Sequence, residues 1–459
     1  MSTTAEFTGS GETGRQEVPC IAGTGIRIGV LAGLICLVTA GNSMAGSGTH
    51  TRGTDVPMTR AEECLNVIDG IGVKSCFTSL PDGRVLNFTH GKFRSSSDGG
   101  LRWSEPWTPT YSGKSPSIDG NLIVFKDGTL GLIGRVIPAP PPGLGPRPAD
   151  REAREKWKIA NRRAGAGTPD LQHIALWRSK DGGKTFSGPV RISPPEGHTV
   201  IANNDVVRRT SSGRILVPVY GQGHIYVYRS DDEGATWRRN EKIVQSFAEY
   251  DGKRIALDED EPTVEEVAPG KLLMLMRTDT GRLYESRSND NGETWSEGKP
   301  TSLMSMHSPA QLRRVPGTND LLVVFNQGSI DEARRDLYRA RLSTAISKDG
   351  GRTWTHFQNI ESTLEGVHVA PTPLERDLPW IIRQLNPRND ELPGYPPKPP
   401  SIDLSKHGRS HGSFTYPCVL FHGKNLLIGH ADLHWNTEGK VSAVGRVRVV
   451  PTTWIYGKR

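Results

Sequence analysis

Short runs of apolar residues alternate with polar residues along most of the chain, and glycine, proline or aspartate bounds each run. Four examples are residues 271–276, 282–286, 321–325 and 342–346. Runs of this length and composition are typical of β-strands. Only one apolar segment is long, at residues 28–40, which excludes a protein that crosses a membrane many times. The pattern therefore predicts an all-β fold built from many short strands.

A second pattern divides these strands into units. The motif Ser-x-Asp-x-Gly-x-Thr-Trp occurs five times, with starts 83, 51, 58 and 59 residues apart. The copies are residues 96–103, 179–186, 230–237, 288–295 and 347–354. The aspartate accepts hydrogen bonds from backbone N–H groups, the glycine permits a positive φ, and the aromatic residue packs under the turn. Each copy is therefore predicted to form a hairpin turn.

Units of roughly 50 to 60 residues with several strands each are typical of propeller blades. Five marked blades and one unmarked blade at the carboxyl end predict a six-bladed β-propeller. A final strand near residues 441–449 is expected to help to close the ring with the first blade. The long first spacing indicates a proline-rich insertion at residues 138–170 that ends in a charged, helix-forming run, and a second proline-rich segment covers residues 388–405.

The five turns resemble Asp-boxes, also called BNR repeats, and the resemblance covers residues 96–354. Members of the sialidase (neuraminidase) superfamily carry such turns on six-bladed β-propellers. The turns themselves are structural, and they also occur in propellers that have no catalytic activity. The resemblance therefore implies the fold, whereas an activity is implied only where the residues of the site match as well.

Sialidases place three arginines, a tyrosine nucleophile, a glutamate and an aspartate at the central channel. Arginine grips a carboxylate with two parallel hydrogen bonds, and the glutamate takes the proton of the weakly nucleophilic tyrosine. By this resemblance Glu261 opens an inner strand as the activating base, and Arg277 ends the next strand as a carboxylate clamp. Tyr416, in the stretch Gly-Ser-Phe-Thr-Tyr-Pro, corresponds to the nucleophile of the final blade.

Further substrate-binding candidates lie near these positions. The family has an arginine eight residues before an Asp-box, which here is Arg339, and Arg341 is the alternative because it shares the strand face. His307 precedes a stretch that resembles bacterial sialidase-like hydrolases, and Arg409 lies in a histidine-rich stretch before Tyr416. The histidines of this region do not have the spacing of a compact metal motif, so a metal site is only a minor alternative.

The amino-terminal half departs from the family pattern at two positions. The expected Arg-Ile-Pro motif is absent, and Lys74 is the cation nearest to its place, while Arg94 would supply a clamp from another direction. The aspartate acid is absent as well. One candidate acid is His90, because histidine titrates near neutral pH. The other is Asp205, which lies in a polar cluster at the start of a later strand.

The composition indicates which class of partner the protein binds. The 459 residues carry 57 Lys and Arg against 50 Asp and Glu, and the net charge of +7 favours an anionic partner such as an acidic glycan. The basic residues are spread along the chain and form no nucleic-acid motif, so no nucleic-acid partner is expected. The five cysteines include no CxxC pair, which argues against a zinc ribbon, although Cys64 and Cys76 are candidates for a disulfide. No cofactor is expected, because no nucleotide or flavin motif is visible.

The amino terminus has the features of an export signal. The apolar segment at residues 28–40 follows two arginines, and residues 43–45 offer a small-residue cleavage site. Residues 1–45 are therefore expected to be a signal peptide or an uncleaved signal anchor, and residues 46–459 the propeller. A secreted or periplasmic location follows, with no lasting membrane partner after cleavage.

The leading hypothesis is a secreted, exo-acting sialidase-like glycoside hydrolase that removes sialic acid or a similar terminal acidic sugar from a glycan. The two missing family positions leave two alternatives open. A polysaccharide lyase on the same fold would use a tyrosine and a histidine to abstract a proton beside a uronate carboxylate. A propeller without catalytic activity would bind the glycan and leave it intact.

Overall fold

Six antiparallel sheets follow one another along the chain and form the blades of a β-propeller, which confirms the predicted all-β, six-bladed fold class. The structure is a computed structural model. It describes residues 64–72, 74–117, 119–136, 153, 156, 172–194, 200–201, 205–221, 223–250, 252–305, 307–328, 339–362, 410–435 and 441–457. The predicted signal at residues 1–45 and the segment at residues 388–405 lie outside these residues, as does Arg409.

The chain enters the propeller through β1 and then builds the first two blades. Their strands, in chain order, are β1 (Asn66–Asp69), β2 (Cys76–Ser79), β3 (Val85–Thr89), β4 (Lys92–Ser96), β5 (Thr110–Tyr111), β6 (Gly120–Val124), β7 (Leu130–Val136), β8 (His173–Ser179), β9 (Thr185–Phe186) and β10 (Val190–Arg191). The first blade consists of β2, β3 and β4, and the second of β6, β7, β8 and β10. A short parallel pair of β5 with β9 connects the outer parts of these two blades.

The third and fourth blades are joined by an additional hairpin, β16–β17. Their strands are β11 (Val200–Ile201), β12 (Arg208–Arg209), β13 (Ile215–Gly221), β14 (His224–Ser230), β15 (Arg238–Arg239), β16 (Phe247–Tyr250), β17 (Lys253–Ala256), β18 (Asp260–Ala268), β19 (Lys271–Arg277), β20 (Arg282–Ser288) and β21 (Lys299–Met304). The inner strand of the third blade is divided, because β11 and β12 both pair with β13.

The fifth and sixth blades complete the ring. Their strands are β22 (Gln311–Arg314), β23 (Leu321–Phe325), β24 (Arg341–Ser347), β25 (Thr355–Ser362), β26 (Ser410–His422), β27 (Asn425–Trp435) and β28 (Val441–Pro451), followed by a 3-10 helix at Thr452–Tyr456. The closing strand β28 lies in the sixth blade, where it pairs with β27 and with β1. The ring therefore closes because β1, which precedes the first blade, is the outermost strand of the last blade.

The apolar core lies between neighbouring blades. Six clusters of buried residues fill the six interfaces of the ring. In β13, for example, Ile215 and Val217 pack toward the second blade, while Leu216 packs toward the fourth. Both faces of the central strands are thus buried, which explains why the strand runs in the sequence are almost continuously apolar.

The five Asp-box turns have the predicted chemistry. In the third blade the Ser230 hydroxyl donates to Asp232 Oδ1 at 2.8 Å, and the backbone and hydroxyl of Thr236 both donate to the same carboxylate, at 2.8 and 2.6 Å. The side-chain and backbone hydrogen bonds from Thr236 lower the pKa of Asp232 to about 2. Trp237 donates its indole N–H to the Gly234 carbonyl at 3.2 Å and so packs under the turn.

The candidate disulfide between Cys64 and Cys76 is not formed, and among the described residues Cys64, Cys76 and Cys418 take part in no disulfide. Cys76 is buried on the inner strand β2, whereas Cys64 accepts a contact from Arg448 of the last blade at 3.4 Å. Cys76 therefore packs between the first and second blades, whereas Cys64 packs against the cluster between the fifth and sixth blades. Within the insertion at residues 138–170, the described residues Ala153 and Lys156 are helical. No helix in the described part of the chain combines the length and apolar character needed to cross a membrane.

Candidate active site

Three of the site residues predicted from the sequence lie at one end of the propeller. Because the strands of a blade are antiparallel, the start of the first strand, the end of the second and the start of the third meet at the same end. Glu261 is the second residue of β18, Arg277 is the last residue of β19, and Arg339 lies just before β24. These three positions therefore lie at one mouth of the channel.

The backbone at this mouth is strained. The residues Lys74, His90, Asp205, Glu261, His307, Arg339 and Tyr416 all have a positive φ, between 38° and 66°. A non-glycine residue in this region costs about 1–3 kcal/mol, and such residues concentrate at functional sites. Only three further non-glycine residues in the described part of the chain share the feature, and two of those lie in Asp-box turns.

The same backbone feature, a β-bulge followed by proline, positions Glu261 and Tyr416. Each interrupts the pairing register of its strand with a β-bulge, and each is followed by a proline, which has no N–H to give to the sheet. A bulge turns a side chain away from the regular alternation of a strand. The two bulges therefore turn both side chains toward the channel.

The centre of the site is a carboxylate that two residues share. The Tyr416 hydroxyl donates to Glu261 Oε1 at 2.8 Å, and Arg277 Nη1 donates to Glu261 Oε2 at 2.5 Å. Glu261 is 5 % exposed and Arg277 9 % exposed, so the ion pair is shielded from water. Both oxygens of the carboxylate are thus engaged, one by the phenol and one by the guanidinium.

The fifth blade contributes a second arginine and a histidine. Arg339 Nη1 donates to Thr415 Oγ1 at 2.9 Å, and its Nη2 donates to the His307 carbonyl at 2.9 Å. The His307 ring lies 3.3 Å from Arg277 Nη2. His307 therefore lies between the two arginines, and Arg339 is fixed beside the residue that precedes Tyr416.

The electrostatics of this group follow from its burial. Burial raises the pKa of Tyr416, Glu261 raises it further, and Arg277 and Arg339 oppose the shift. Burial opposes the ionisation of Arg277, but Glu261 and Tyr416 hold its pKa above the ordinary value. Burial lowers the pKa of Arg339, and the neighbouring Arg277 lowers it further. The resting site therefore contains a neutral phenol beside a carboxylate, with two guanidinium groups around them.

The first two blades supply the other side of the mouth. Lys74 Nζ lies 5.5 Å from the centre of the Tyr416 ring, which places a cation at the position where the family's first arginine is missing. Partial burial lowers the pKa of His90, Lys74 lowers it further, and Asp119 opposes them. The charge of Lys74 thus acts on His90, and the same ammonium group lies over the ring of Tyr416.

Asp205 lies deeper and has fixed partners. Arg313 Nη2 donates to Asp205 Oδ2 at 2.6 Å and to its carbonyl at 2.8 Å, while Arg313 Nε donates to the Val419 carbonyl at 3.1 Å. Burial raises the pKa of Asp205 to about 7, and Arg208 opposes that shift. Asp205 therefore belongs to a buried network that links the third, fifth and sixth blades across the channel.

The remaining candidates lie apart from this group. Arg341 is 1 % exposed at the first residue of β24. His430 is fully buried with Glu361, at 3.1 Å from its carboxylate, and His422 contacts Ser79 at 2.9 Å. The described histidines near Tyr416 therefore do not converge. Within the described ranges no group of three or more His, Cys, Asp or Glu residues is arranged to hold a metal ion.

Two further residues at the mouth were not predicted from the sequence. Burial raises the pKa of Tyr220 well above its ordinary value, Glu261 and Tyr416 raise it further, and Arg135 opposes them. Tyr220 therefore lies within electrostatic range of the catalytic candidates on one side and of Arg135 on the other.

A count along the repeat would have found both residues. Each second strand follows a turn glycine with positive φ, and in the first four blades the residue seven positions later lies at, or one residue from, the end of that strand at the mouth. These residues are His90, Arg135, Tyr220 and Arg277. All four carry a functional group suited to acid–base chemistry or ligand binding.

The arrangement has the groups needed for nucleophilic substitution at a carbon that bears an acidic group. The hydroxyl of Tyr416 has the Glu261 carboxylate as a proton acceptor, and Arg277 and Arg339 offer guanidinium N–H groups beside it. A substrate carboxylate that approached this group would meet two cations on one side of the tyrosine.

Comparison with known proteins agrees with the fold. A family model described as a BNR repeat-like domain matches residues 157–428. A protein of unknown function from Dyadobacter fermentans is 15 % identical, with a TM-score of 0.51 over 84 % of this chain and 98 % of that one. The NanB sialidase of Streptococcus pneumoniae is 14 % identical, with a TM-score of 0.51 over 83 % of this chain and 68 % of its own. The leech intramolecular trans-sialidase is 14 % identical, with a TM-score of 0.51 over 90 % and 72 %. These similarities establish a shared fold.

Proposed function

Since the chain belongs to the family of BNR repeat-like domains, we propose that it is an exo-acting glycoside hydrolase that removes a terminal acidic sugar, such as sialic acid, from a glycan. The observation that carries the proposal is the Glu261 carboxylate, which accepts hydrogen bonds from Tyr416 and Arg277 at the channel mouth. A tyrosine is a weak nucleophile near its ordinary pKa of about 10, so it needs such a base.

The reaction would take place in two steps. In the first, the Tyr416 oxygen forms a bond to the anomeric carbon, its proton passes to Glu261, and the bond to the leaving oxygen breaks while an acid protonates that oxygen. In the second, water attacks the anomeric carbon and gives a proton to the conjugate base of that acid, the bond to Tyr416 breaks, and Glu261 returns its proton to the tyrosine oxygen. Two successive displacements retain the configuration of the sugar.

Arg277 and Arg339 would hold the carboxylate of the sugar. Each guanidinium has five N–H groups, of which Glu261 engages one on Arg277, while Thr415 and the His307 carbonyl engage two on Arg339. The remaining donors suit a carboxylate, because charge-assisted hydrogen bonds from arginine are short and directional. His307, between the two arginines, would limit where the carboxylate lies.

His90 is the better candidate for the acid. It lies at the mouth with Lys74, whereas Asp205 is 6 % exposed and is bonded to Arg313. A leaving oxygen at the mouth would be closer to an exposed imidazole than to a carboxyl within the channel network. Because the pKa of His90 is lowered, the proposed acid is protonated mainly in mildly acidic solution.

The solved structures of similar fold support an acidic glycan as the ligand. The NanB sialidase structure contains a substituted ethanesulfonate, and the leech trans-sialidase structure contains 2,7-anhydro-Neu5Ac. Both ligands carry an acidic group. The net charge of +7 supports the same class of ligand. A secreted or periplasmic location completes the proposal, and its support is the apolar segment at residues 28–40 with the small residues that follow.

Release of a fluorescent aglycone from a sialic-acid glycoside tests the proposal. We expect turnover by the wild type and a loss of at least about a thousandfold in Tyr416→Phe. Tyr456→Phe is the matched control, because Tyr456 donates a hydrogen bond of the same 2.8 Å length to Asp320, away from the channel.

Three other outcomes would redirect the assignment. An unsaturated, ultraviolet-absorbing product from a uronate polymer would identify a lyase. Binding of sialosides by a folded wild type without turnover would identify a binding propeller. Equal turnover by Tyr416→Phe and Tyr456→Phe would remove Tyr416 from the reaction.

A further inference from the structure

Arg135 is a cation at the channel mouth that the proposed reaction does not use. It lies near the end of β7, seven residues after the turn glycine Gly128, as Arg277 lies seven residues after Gly270. Its carbonyl accepts a hydrogen bond from the Ser117 backbone at 2.7 Å, which fixes the strand end. The repeat therefore places Arg135 in the second blade where Arg277 lies in the fourth.

The guanidinium of Arg135 retains capacity for a ligand. The ion pairs of the described residues do not include Arg135, and its Nε is buried without a hydrogen-bond partner among them. The side chain as a whole is only half-buried. Arg277, at the equivalent position of the fourth blade, forms an ion pair with Glu261. A buried donor that makes no hydrogen bond costs free energy, and an anion at this place would recover it.

Tyr220 connects this arginine to the catalytic candidates. It is the penultimate residue of β13 in the third blade, between the blades that carry Arg135 and Glu261, and it is within electrostatic range of Arg135, Glu261 and Tyr416. A phenol and a guanidinium at neighbouring strand ends can both donate hydrogen bonds to one anionic group.

The geometry of the ring separates this group from the first clamp. Arg135 belongs to the second blade and Arg339 to the fifth, and in a ring of six these blades face each other across the channel. In the proposed function Arg277 and Arg339, on the fourth and fifth blades, already hold one carboxylate. Any anion on Arg135 is therefore a second one.

We propose that Arg135 and Tyr220 form a second anion subsite, which recognises a carboxylate or sulfate on the sugar next to the one that is cleaved. This inference rests on the proposed function for the identity of the cleaved sugar. It makes the preferred substrate a glycan end with two acidic groups, one on each of two adjacent sugars.

Equilibrium binding tests the subsite without relying on turnover. In a Tyr416→Phe background, calorimetry would compare 3′-sialyllactose with the same trisaccharide that carries one sulfate on its galactose. We expect the sulfated ligand to bind about tenfold more tightly, because hydrogen bonds to a charged group contribute about that much. Arg135→Met should abolish the preference and leave the affinity for 3′-sialyllactose within about twofold, while Arg135→Lys should retain part of it.

Arg238→Met is the control, because Arg238 is an exposed arginine on the outer strand β15. The inference is overturned if Arg135→Met keeps the preference, if it weakens both ligands equally, or if the starting protein binds neither ligand or both equally. Failure of the proposed function has a different signature: the wild type would then show the sulfate preference and hydrolyse neither trisaccharide.

Discussion

Tyr416 and Glu261 are 155 residues apart in the chain, and the hydroxyl of the first lies 2.8 Å from the carboxylate of the second. They come from the sixth and fourth blades, which both neighbour the fifth blade, the source of Arg339 and His307. Two bulges, each followed by proline, bring them together. The contact therefore depends on the closed ring and on the backbone at both strand starts.

Glu261→Gln should remove the base while it preserves the shape of the side chain. We expect kcat to fall by about 10²- to 10⁴-fold. Because Arg277 would lose its buried carboxylate partner, we also expect a loss of about 3 kcal/mol in the free energy of unfolding. Activity assays and urea denaturation measure the two effects. Glu285→Gln is the control, since it breaks a Glu–Arg pair of 2.9 Å with Arg287 outside the site, and an equal loss of kcat there would refute the assignment.

Arg339→Met should weaken the grip on the substrate carboxylate. We expect KM to rise about ten- to a hundredfold for an acidic substrate, which corresponds to about 1.5–3 kcal/mol. The methyl ester of the same substrate should show little change between wild type and variant. Steady-state kinetics on both substrates would test this, with the exposed Arg352→Met as a control. A similar effect on acid and ester would mean that Arg339 only supports Thr415 and His307.

The pH profile should identify the acid. If His90 donates the proton, kcat/KM is highest where the imidazole is protonated and falls as the pH rises through a value below 6.5, because partial burial and Lys74 lower the pKa of His90. His90→Asn should remove this basic limb and reduce the rate. A basic limb near pH 7 that persists in His90→Asn would point to Asp205 instead, whose pKa is raised to about 7.

The Asp-box carboxylates should make the propeller sensitive to strong acid. Hydrogen bonds from Thr236 lower the pKa of Asp232 to about 2, below the value of about 3.9 expected in the unfolded chain. The stabilisation is therefore complete above about pH 4 and is lost as the pH falls toward 2. Thermal denaturation of Asp232→Asn should show a smaller decrease in Tm over this interval than the wild type shows. The exposed Glu241→Gln should behave like the wild type.

The fold could be predicted because its signal is local and repeated. Each Asp-box, such as residues 230–237, is specified by side chains within eight positions, so the motif alone fixes the turn and its spacing fixes the blade. The ring closure was harder, because the pairing of β1 with β28 is a contact between the two ends of the propeller. A pattern of apolar residues predicts a strand but does not indicate with which distant strand it pairs.

The candidate site could be predicted only where its residues carry a family pattern. Glu261, Arg277 and Tyr416 were proposed as a group, and the structure brings them into contact. Arg135 and Tyr220 were not proposed, since a single arginine or tyrosine at a strand end has no local motif. The candidate disulfide between Cys64 and Cys76 is not formed, since the two cysteines lie in different blade interfaces, which their spacing in the sequence does not reveal.

The repeat count that reaches His90, Arg135, Tyr220 and Arg277 also has a practical consequence. Each of these side chains lies at, or one residue from, the end of a strand whose preceding residues form the apolar interfaces, so the side chain can be changed without changing the residues of the core. A combinatorial library limited to Arg135 and Tyr220 would vary the ligand surface from two neighbouring blades while it leaves His90 and the Tyr416–Glu261 pair untouched. Selection from that library for binding of new acidic glycans would use this separation between the ligand-binding side chains and the apolar blades that hold them.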